Sequence, residues 1–446
     1  MQRKRMLLVA ALTGAALVLT ACTAGGGGYA KKALTKNHAD TTVSLWTAWA
    51  GTNEKQFQEL ANTCTAKYPW LHVNITSKED NLADATSAAV SAGNPPDLVE
   101  FRDPDQLGLV ASAHLLEPLN KIAKRDGFTW NQFVPAMAKE SQFQGTYYSV
   151  PYAFDVYGLY YNKKMLAAAG ITKPPTTLAE IDAINDKLTK KNPDGSLSQV
   201  GFLPDYAGSY LFNYSSIWGV NWFTKNGVTP TYANGGKLAG LLQWERSFYT
   251  KYGVNALRSF KASFGKYDSA KHPLMTGKVA MAYDGEWLSG YPKLFGTTAS
   301  TDWGVVPMPG PDGVDAQNPV SMLAGNALAI PTGSAHPEEA WTLLKCMTTN
   351  AKALARFNSD VSNISALTAA QAYDPRKNDP VWSEFLHIAT STKAVPPPTS
   401  VAGNVLADPV AQFEEKYLAG NIPNLAAGLA KAQQNTVAQI KQTTGK

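Results

Sequence analysis

Short apolar runs alternate with amphipathic helical patterns in the first hundred residues after the N-terminal segment. The β-branched and aromatic run at 41–46 predicts a strand, and the apolar spacing over 53–68 predicts a helix that Pro69 ends. Further strands are predicted at 72–75 and 98–101, on either side of a helix over 81–92. This order of strands and helices is typical of an α/β lobe with a mostly parallel sheet.

The rest of the chain continues the mixture of strands and helices. Thr177 and Glu180 form a capping box at the start of a helix. Pro337 stands where a helix should begin, and the tail over 408–442 reads as mostly helical. Further strands are predicted at 279–283, 303–306 and 327–330.

Length and charge limit the class of protein. A chain of 446 residues exceeds the usual size of a single hydrophobic core, so two lobes are expected. Charged residues make up only 17% of the chain and aromatic residues 10%, which indicates an ordered globular protein. The net charge is +5, and three of the positive residues lie at 3–5, so nothing indicates binding to nucleic acid.

The first residues have the three parts of a bacterial export signal. Positive residues at 3–5 precede an apolar stretch over 6–19, which is shorter than the roughly 20 residues of a membrane span. The segment Leu-Thr-Ala-Cys that ends at Cys22 resembles the lipobox of bacterial lipoproteins. We therefore expect a signal peptide over 1–21 and a lipid-anchored, glycine-rich tether over 22–40. An uncleaved anchor helix, or an ordinary signal with a chance cysteine, are the alternatives.

The two other cysteines, Cys64 and Cys346, both occupy apolar helical positions. In an oxidising compartment they could form one disulfide, and two buried free thiols are the alternative. The sequence does not decide between these possibilities.

Several motifs resemble one known family. The segment 150–163 (VPYAFDVYGLYYNK) leads into Ala-Gly-Ile at 169–171 and Pro-Pro-Thr-Thr at 174–177. This order resembles the extracytoplasmic sugar-binding proteins of ABC importers, the solute-binding protein family 1 that includes maltose-binding protein. Over about 41–440, further motifs follow in family order: 93–97 (GNPPD), 277–281 (GKVAM), 285–287 (GEW) and 337–341 (PEEAW). His114 and the segment 360–366 depart from the family pattern and leave the ligand open.

The resemblance implies an α/β fold of the two-lobed, periplasmic-binding-protein-like type II, with the ligand in the cleft between the lobes. Mapped by motif, the N-terminal lobe takes 41–152 plus 302–331, and the C-terminal lobe takes 153–301 plus 332–446. The hinge is then crossed three times, near 153–155, near Thr301 and near Pro331.

Sugar binding needs flat aromatic surfaces for the C–H face of the ring and planar polar groups for its hydroxyls. Trp287 and Asp155 stand at motif positions where the family contacts its ligand. Trp49 and Asn53 lie in the loop after the first strand, and residues 101–103 follow the third strand, at the end where open sheets bind ligands. Asp205 and Tyr206 lie in a loop of the second lobe, and Asn404 lies in the late segment 401–404. Each has a structural alternative, such as core packing for Trp287 or a salt bridge for Arg102 and Asp103. The predicted ligand-binding residues are Trp49, Asn53, Phe101, Arg102, Asp103, Asp155, Asp205, Tyr206, Trp287 and Asn404.

The sequence carries no motif of a known catalytic or metal site. HExxH, GxSxG, GxGxxG, Walker A and paired CxxC motifs are absent, and the six histidines lack the spacing of metal ligands. We therefore expect a protein that is not an enzyme and that needs no cofactor or metal. A pair of glycosidase carboxylates among the 35 acidic residues is not excluded by sequence.

These expectations combine into one functional hypothesis. The protein would be a monomer anchored by lipid at the outer face of the cytoplasmic membrane. It would capture a carbohydrate, with an oligosaccharide favoured by the many Trp and Tyr residues, and deliver it to the membrane permease of an ABC transporter. The alternatives are a non-sugar solute bound in the same fold and a secreted carbohydrate-active enzyme.

Overall fold

The computed structural model describes residue 34 and residues 38–78, 82–102, 106–206, 211–296, 302–403 and 407–445. The predicted signal peptide, Cys22, Asp103 and Asn404 lie outside these ranges. Within them, every helix is too short or too polar to cross a membrane.

Strands and helices alternate along the described residues. The strands are β1 Thr41–Thr47, β2 Leu71–Ser77, β3 Leu98–Phe101, β4 Gln142–Phe143, β5 Thr146–Tyr147, β6 Ser149–Asn162, β7 Lys190–Lys191, β8 Leu197–Phe202, β9 Val279–Gly285, β10 Trp303–Val306, β11 Leu323–Ala329 and β12 Ile364–Ser365. The helices are α1 Gly51–Thr65, α2 Leu82–Ser91, α3 Leu107–Ser112, α4 Asn120–Arg125, α5 Pro135–Glu140, α6 Lys163–Ala168, α7 Leu178–Leu188, α8 Leu211–Ile217, α9 Lys237–Tyr252, α10 Val254–Ala262, α11 Tyr291–Leu294, α12 Pro337–Thr349, α13 Ala351–Asp360, α14 Thr368–Gln371, α15 Pro380–Ala389, α16 Ala407–Leu418 and α17 Leu425–Thr444.

The first three strands confirm the predicted parallel arrangement. β1 lies between β2 and β3 and pairs with both in parallel. α1 buries Phe57, Leu60, Ala61 and Cys64, the apolar face read from the sequence. The capping box of Thr177 and Glu180 at the start of α7 and the N-terminal Pro337 of α12 are also confirmed.

The long strand β6 joins two sheets. Its first half, up to Val156, pairs antiparallel with β11, which also pairs with β3. Its second half, from Tyr157, pairs with β9 on one side and β10 on the other. The strand order is β2-β1-β3-β11-β6-β9-β8-β7, and we propose that the chain passes from one lobe to the other between Val156 and Tyr157. This passage lies next to the predicted crossing at 153–155.

The strand pairings suggest other positions for the two remaining passages between the lobes. β10 pairs with the second half of β6, whereas β11 pairs with the first half, so we propose that this passage lies between Val306 and Leu323 rather than near Thr301. α12 and α13 pack on α1, whereas α15 packs on β10 and β6. We therefore propose that the first lobe keeps α12 to α14 and that the last passage lies between Gln371 and Pro380.

A disulfide links Cys64 at the end of α1 to Cys346 in α12. Both side chains are buried in the core that also contains Trp341 and Phe357. Of the two possibilities left open by the sequence, the structure contains the disulfide. The bond fastens a late helix to the first one of the same lobe.

Candidate ligand-binding cleft

Each half of the sheet contains a pair of parallel strands whose carboxyl ends are followed by predicted ligand residues. β1 and β3 are parallel, so their carboxyl ends, followed by Trp49 and Arg102, lie at one edge of the first sheet. β8 and β9 are also parallel, so Tyr206 and Trp287 follow the carboxyl ends of strands in the second sheet. Asp155 lies in β6, just before the strand passes between the lobes. Open α/β sheets bind ligands at such edges.

On the first lobe, Trp49 and Arg102 form one stacked unit. The guanidinium carbon of Arg102 lies 3.9 Å from the centroid of the Trp49 ring. Trp49 is 8% exposed, and its ring also makes an edge contact with Phe357 at 5.8 Å between centroids. Trp49 is therefore partly a core residue, and the guanidinium group of Arg102 covers one face of its indole ring. The Nη2 atom of Arg102 is buried and has no hydrogen-bond partner among the described side chains.

The buried carboxylate of Glu100 organises this wall. It accepts hydrogen bonds from the hydroxyls of Thr47 and Tyr152, the latter at 2.5 Å, and from Nε of Arg102 at 3.0 Å. The Tyr152 hydroxyl in turn accepts a hydrogen bond from Nε1 of Trp49 at 2.9 Å. A fully buried charge is tolerated because these donors replace water. Glu100 therefore holds two of the predicted ligand residues of the first lobe, Trp49 and Arg102, in place.

Between the lobes, Asp155 shares a hydrogen bond with Glu286, the residue before Trp287. Nδ2 of Asn363 donates to Asp155 at 2.6 Å, and the backbone N–H of Val156 donates to Glu286 at 2.8 Å. Burial, partly offset by the hydrogen bond with Glu286, raises the pKa of Asp155 to about 6. Burial and the nearby Asp155 charge raise the pKa of Glu286 well above its usual range. The two carboxyl groups therefore share a proton at the boundary of the lobes.

This shared proton predicts a pH dependence of stability. A carboxyl whose pKa is raised on folding contributes full stability below its unfolded pKa, and that contribution is lost as the pH rises through the folded pKa of about 6. In Glu286→Gln, the amide still reaches Asp155 and Val156 but no proton has to be shared. We therefore expect the melting temperature of Glu286→Gln to rise relative to the wild type as the pH is raised from about 4.5 to about 7.5.

Thermal melts at several pH values measure this difference. Glu59→Gln, on the exposed side of α1, serves as the control and should follow the wild type at every pH. A constant difference between Glu286→Gln and the wild type across the range would contradict a shared proton.

On the second lobe, Trp287 is partly buried and packs against two of the apolar clusters of the structure. Its Nε1 donates to the Tyr267 hydroxyl at 2.8 Å, and its ring makes an edge contact with Tyr157 at 5.5 Å. A Cβ added to Gly285 would lie 2.0 Å from the Trp287 ring, so the ring sits directly on that glycine. The Trp287 ring is therefore held in a defined place after β9, and its role toward a ligand stays a prediction.

The structure brings the other predicted residues to different surroundings. Asn53 lies in the first turn of α1 and is partly buried. Phe101 is buried at the end of β3 and lines, with Arg102, a cavity of about 420 Å³ beside α2. The carboxylate of Asp205 is already bonded to Lys261 and to the Tyr249 hydroxyl, so its role toward a ligand stays a prediction.

Tyr206 also has structural contacts. Its ring makes an edge contact with Phe264 at 4.9 Å, and it lies 5.8 Å from the His272 ring. Its hydroxyl is buried and has no hydrogen-bond partner among the described groups. The role of Tyr206 toward a ligand therefore stays a prediction.

A larger cavity of about 550 Å³ lies between the lobes. Its first-lobe wall is the β4–β5 hairpin, where Nε2 of Gln144 donates to the carbonyl of Asn226 at 3.4 Å. Its second-lobe wall is formed by α8, the loop over 219–227 and the segment 395–399. Phe143, Phe212 and Trp222 line it. This aromatic, interlobe volume is large enough for more than a single small solute.

Several residues of the cleft were missed by the sequence reasoning: Glu100, Tyr152, Tyr267, Asp284, Glu286 and Asn363. Glu100 gave one signal, since it is the charged residue in the buried strand Leu98–Phe101. Glu286 belongs to a motif that was read only for its tryptophan. Within the described residues, no group of three His, Cys, Asp or Glu side chains has the arrangement of a metal site.

Two α/β lobes joined through β6, with aromatic and carboxyl side chains from both lobes and the hinge at the cleft, define a two-lobed solute-binding protein. The family model for bacterial extracellular solute-binding proteins matches residues 49–353, most of the chain, and the protein belongs to this family. Its members are extracytoplasmic binding proteins.

Individual relatives agree with this assignment. The maltotriose-binding protein of Pyrococcus abyssi is 25% identical over 345 residues, which are 77% of this chain and 70% of that protein. The structure of CpMnBP1 with mannotriose bound has a TM-score of 0.75 and 27% identity, and the match covers 90% of this chain and all of that one. The sugar-binding protein MalE of Xanthomonas citri, at 18% identity, shares the fold with a TM-score of 0.76 over 90% of this chain and 98% of that one.

Proposed function

We propose that this protein is the solute-binding component of an ABC importer that captures an oligosaccharide and delivers it to the membrane permease. The observation that carries the proposal is the pairing of an aromatic platform, Trp287, with hinge and first-lobe polar groups across one cleft. Relatives that bind maltotriose and mannotriose support an oligosaccharide as ligand. Closure of the lobes on the sugar would be a ligand-biased hinge motion.

The chemistry of the cleft suits a neutral sugar. Trp287 offers a partly exposed ring for the C–H face, and Asp155 and Arg102 offer planar groups for hydroxyls. Arg102 is already paired with the buried Glu100, and Asp155 lies against the acidic Glu286. A phosphorylated or otherwise anionic solute would meet a site with little uncompensated positive charge, so a neutral ligand is favoured.

The same geometry favours binding without catalysis. A glycosidase needs two carboxyl groups about 5–10 Å apart on opposite sides of the scissile bond. Asp155 and Glu286 instead share a hydrogen bond, which leaves no room for a sugar between them. Recovery of unchanged sugar after incubation with the protein supports binding, whereas appearance of shorter products would establish the enzyme alternative.

Trp287→Ala tests the sugar assignment directly. Loss of the platform is expected to weaken the best oligosaccharide ligand by roughly 30-fold, or about 2 kcal/mol, measured by calorimetry over a panel of neutral oligosaccharides. Trp70→Ala is the control, because Trp70 precedes β2 at the opposite edge of the sheet and should affect stability alone. Absence of any binding in the panel, or equal affinity of Trp287→Ala and wild type, would reject the assignment.

We also propose that the protein is a monomer held at the outer face of the cytoplasmic membrane by a lipid on Cys22. A binding protein without such an anchor would diffuse away from its permease. Cys22→Ala is therefore expected to move the protein into the soluble fraction with ligand affinity intact, as measured by fractionation and calorimetry. A variant that stays with the membrane would contradict lipid anchoring.

A further inference from the structure

Trp287 is held by a hydrogen-bonded chain that leads into the second lobe. Its Nε1 donates to the hydroxyl of Tyr267 at 2.8 Å. That hydroxyl uses its single proton to donate to Oδ1 of Asp284 at 2.6 Å. The direction of both bonds is therefore fixed, since the Tyr267 oxygen is left with lone pairs only for the indole N–H.

Asp284 is an unusual residue to find at the end of a buried strand. It is fully buried in β9, and Oδ1 also accepts the backbone N–H of Gly285 at 2.8 Å. Oδ2 lies 3.5 Å from Nε2 of the equally buried His272. Burying a carboxylate costs free energy that these contacts must offset. An apolar residue at this buried position would stabilise the core more. We therefore attribute the presence of the carboxylate to the hydrogen bonds that it accepts from Tyr267 and Gly285.

The hydrogen-bonded chain runs from fully buried residues to partly buried ones. Asp284 and His272 are fully buried, whereas Tyr267 and Trp287 are both partly buried. The Trp287 ring is further confined by Gly285 beneath it and by the edge of Tyr157. These contacts restrict the orientations open to the indole, and the hydrogen bond to the Tyr267 hydroxyl is the polar contact among them.

We propose that Tyr267, anchored by Asp284, is a positioning residue that fixes the Trp287 indole in the orientation required to stack on the ligand. The inference rests on the proposed function, which places Trp287 against the sugar. Tyr267 itself need not touch the ligand. Its effect on affinity is transmitted through Trp287 alone.

A double-mutant cycle tests this transmission. Tyr267→Phe removes only the hydroxyl, and we expect it to weaken the oligosaccharide by roughly tenfold. Trp287→Phe lacks the indole N–H, so adding Tyr267→Phe to it should cause no further loss. Losses that multiply in the double variant would overturn the proposal, because Tyr267 would then act by another route.

Tyr252→Phe is the matched control. The Tyr252 hydroxyl donates to Oδ1 of Asp186 at 2.7 Å in the same lobe, so it loses the same kind of bond without a link to Trp287. It should leave affinity unchanged. If Tyr267→Phe does not fold, Asp284→Asn replaces it, with a smaller loss expected that again disappears in the Trp287→Phe background.

A measurement on the protein without ligand tests the positioning role of Tyr267 independently of the proposed sugar binding. The indole N–H resonance of Trp287, assigned by its disappearance in Trp287→Phe, should shift and exchange faster with water in Tyr267→Phe but not in Tyr252→Phe. An unchanged resonance in Tyr267→Phe would overturn the positioning role. Failure of the wild type to bind any sugar would reject the proposed function and leave this resonance test valid.

Discussion

Glu100→Ala is expected to destabilise the protein by about 3–5 kcal/mol and to abolish measurable ligand binding. Glu100 is fully buried and is the common acceptor for the hydroxyls of Thr47 and Tyr152 and for Arg102. Its removal leaves a guanidinium and two hydroxyls without their acceptor, and an unpaired buried partner costs more than the pair itself contributes.

Binding should fail for a geometric reason as well. The Tyr152 hydroxyl that receives Nε1 of Trp49 is itself oriented by its bond to Glu100. Without Glu100, Arg102 loses the bond to Nε that accompanies its stacking on Trp49. The first-lobe wall would then lose its arrangement in the folded protein too.

Urea unfolding measures the first effect, and calorimetry at a temperature where the variant is folded measures the second. Glu59→Ala is the control, since Glu59 pairs with Arg356 at an exposed site where an ion pair contributes under about 1 kcal/mol. Glu100→Gln keeps the shape of the side chain, but its amide NH2 group would face the donors that Glu100 accepts from. We therefore expect it to reduce stability and affinity nearly as much as Glu100→Ala. Wild-type affinity in a folded Glu100→Ala would show that this wall does not contact the ligand.

The elements could be predicted from the sequence because their signals are local. The alternating pattern of 41–101, the capping box at Thr177 and the proline of α12 depend on neighbours a few residues away, and each is confirmed. The family motifs also singled out Asp155, which the structure places in β6 beside the passage between the sheets, and the ligand contact expected of Asp155 and Trp287 stays a prediction.

The lobe boundaries depend on contacts that no local pattern contains. β10 and β11 are both short apolar strands, yet one pairs with Leu159–Asn162 and the other with the first half of β6. The sequence of neither strand indicates which half of β6 it will pair with. α12 reads as an ordinary amphipathic helix, and its place on α1 becomes clear only from long-range packing.

The same limit applies to the site. Glu286 matters because β9 brings it to Asp155, 131 positions earlier in the chain, and Tyr267 matters because a loop returns it to Asp284 and Trp287. The partners of Asp205, the Tyr249 hydroxyl of α9 and Lys261 of α10, likewise became visible only in the structure, and its role toward a ligand stays a prediction. Sequence identifies the residue types suited to sugar, and the fold decides which of them already have partners.

The disulfide should contribute stability without affecting affinity. Cys64 and Cys346 are separated by 282 positions, and closing so long a loop lowers the entropy of the unfolded chain, which favours the folded state by about 5.6 kcal/mol in the loop-entropy model. The double variant Cys64→Ala with Cys346→Ala is expected to lose stability of that order in urea unfolding. Addition of a reductant should lower the stability of the wild type toward that of the double variant and leave the double variant unchanged.

Ligand affinity of the double variant should equal that of the wild type. Cys64 lies in the last turn of α1, whereas Trp49 and Asn53 lie at the opposite end of that helix, beside the cleft. The bond also lies within one lobe, because α12 packs on α1, so it does not restrict the hinge. A fall in affinity would show that α12 helps to position the residues of the cleft wall. The disulfide would then affect the structure of the binding site and not only the entropy of the unfolded chain.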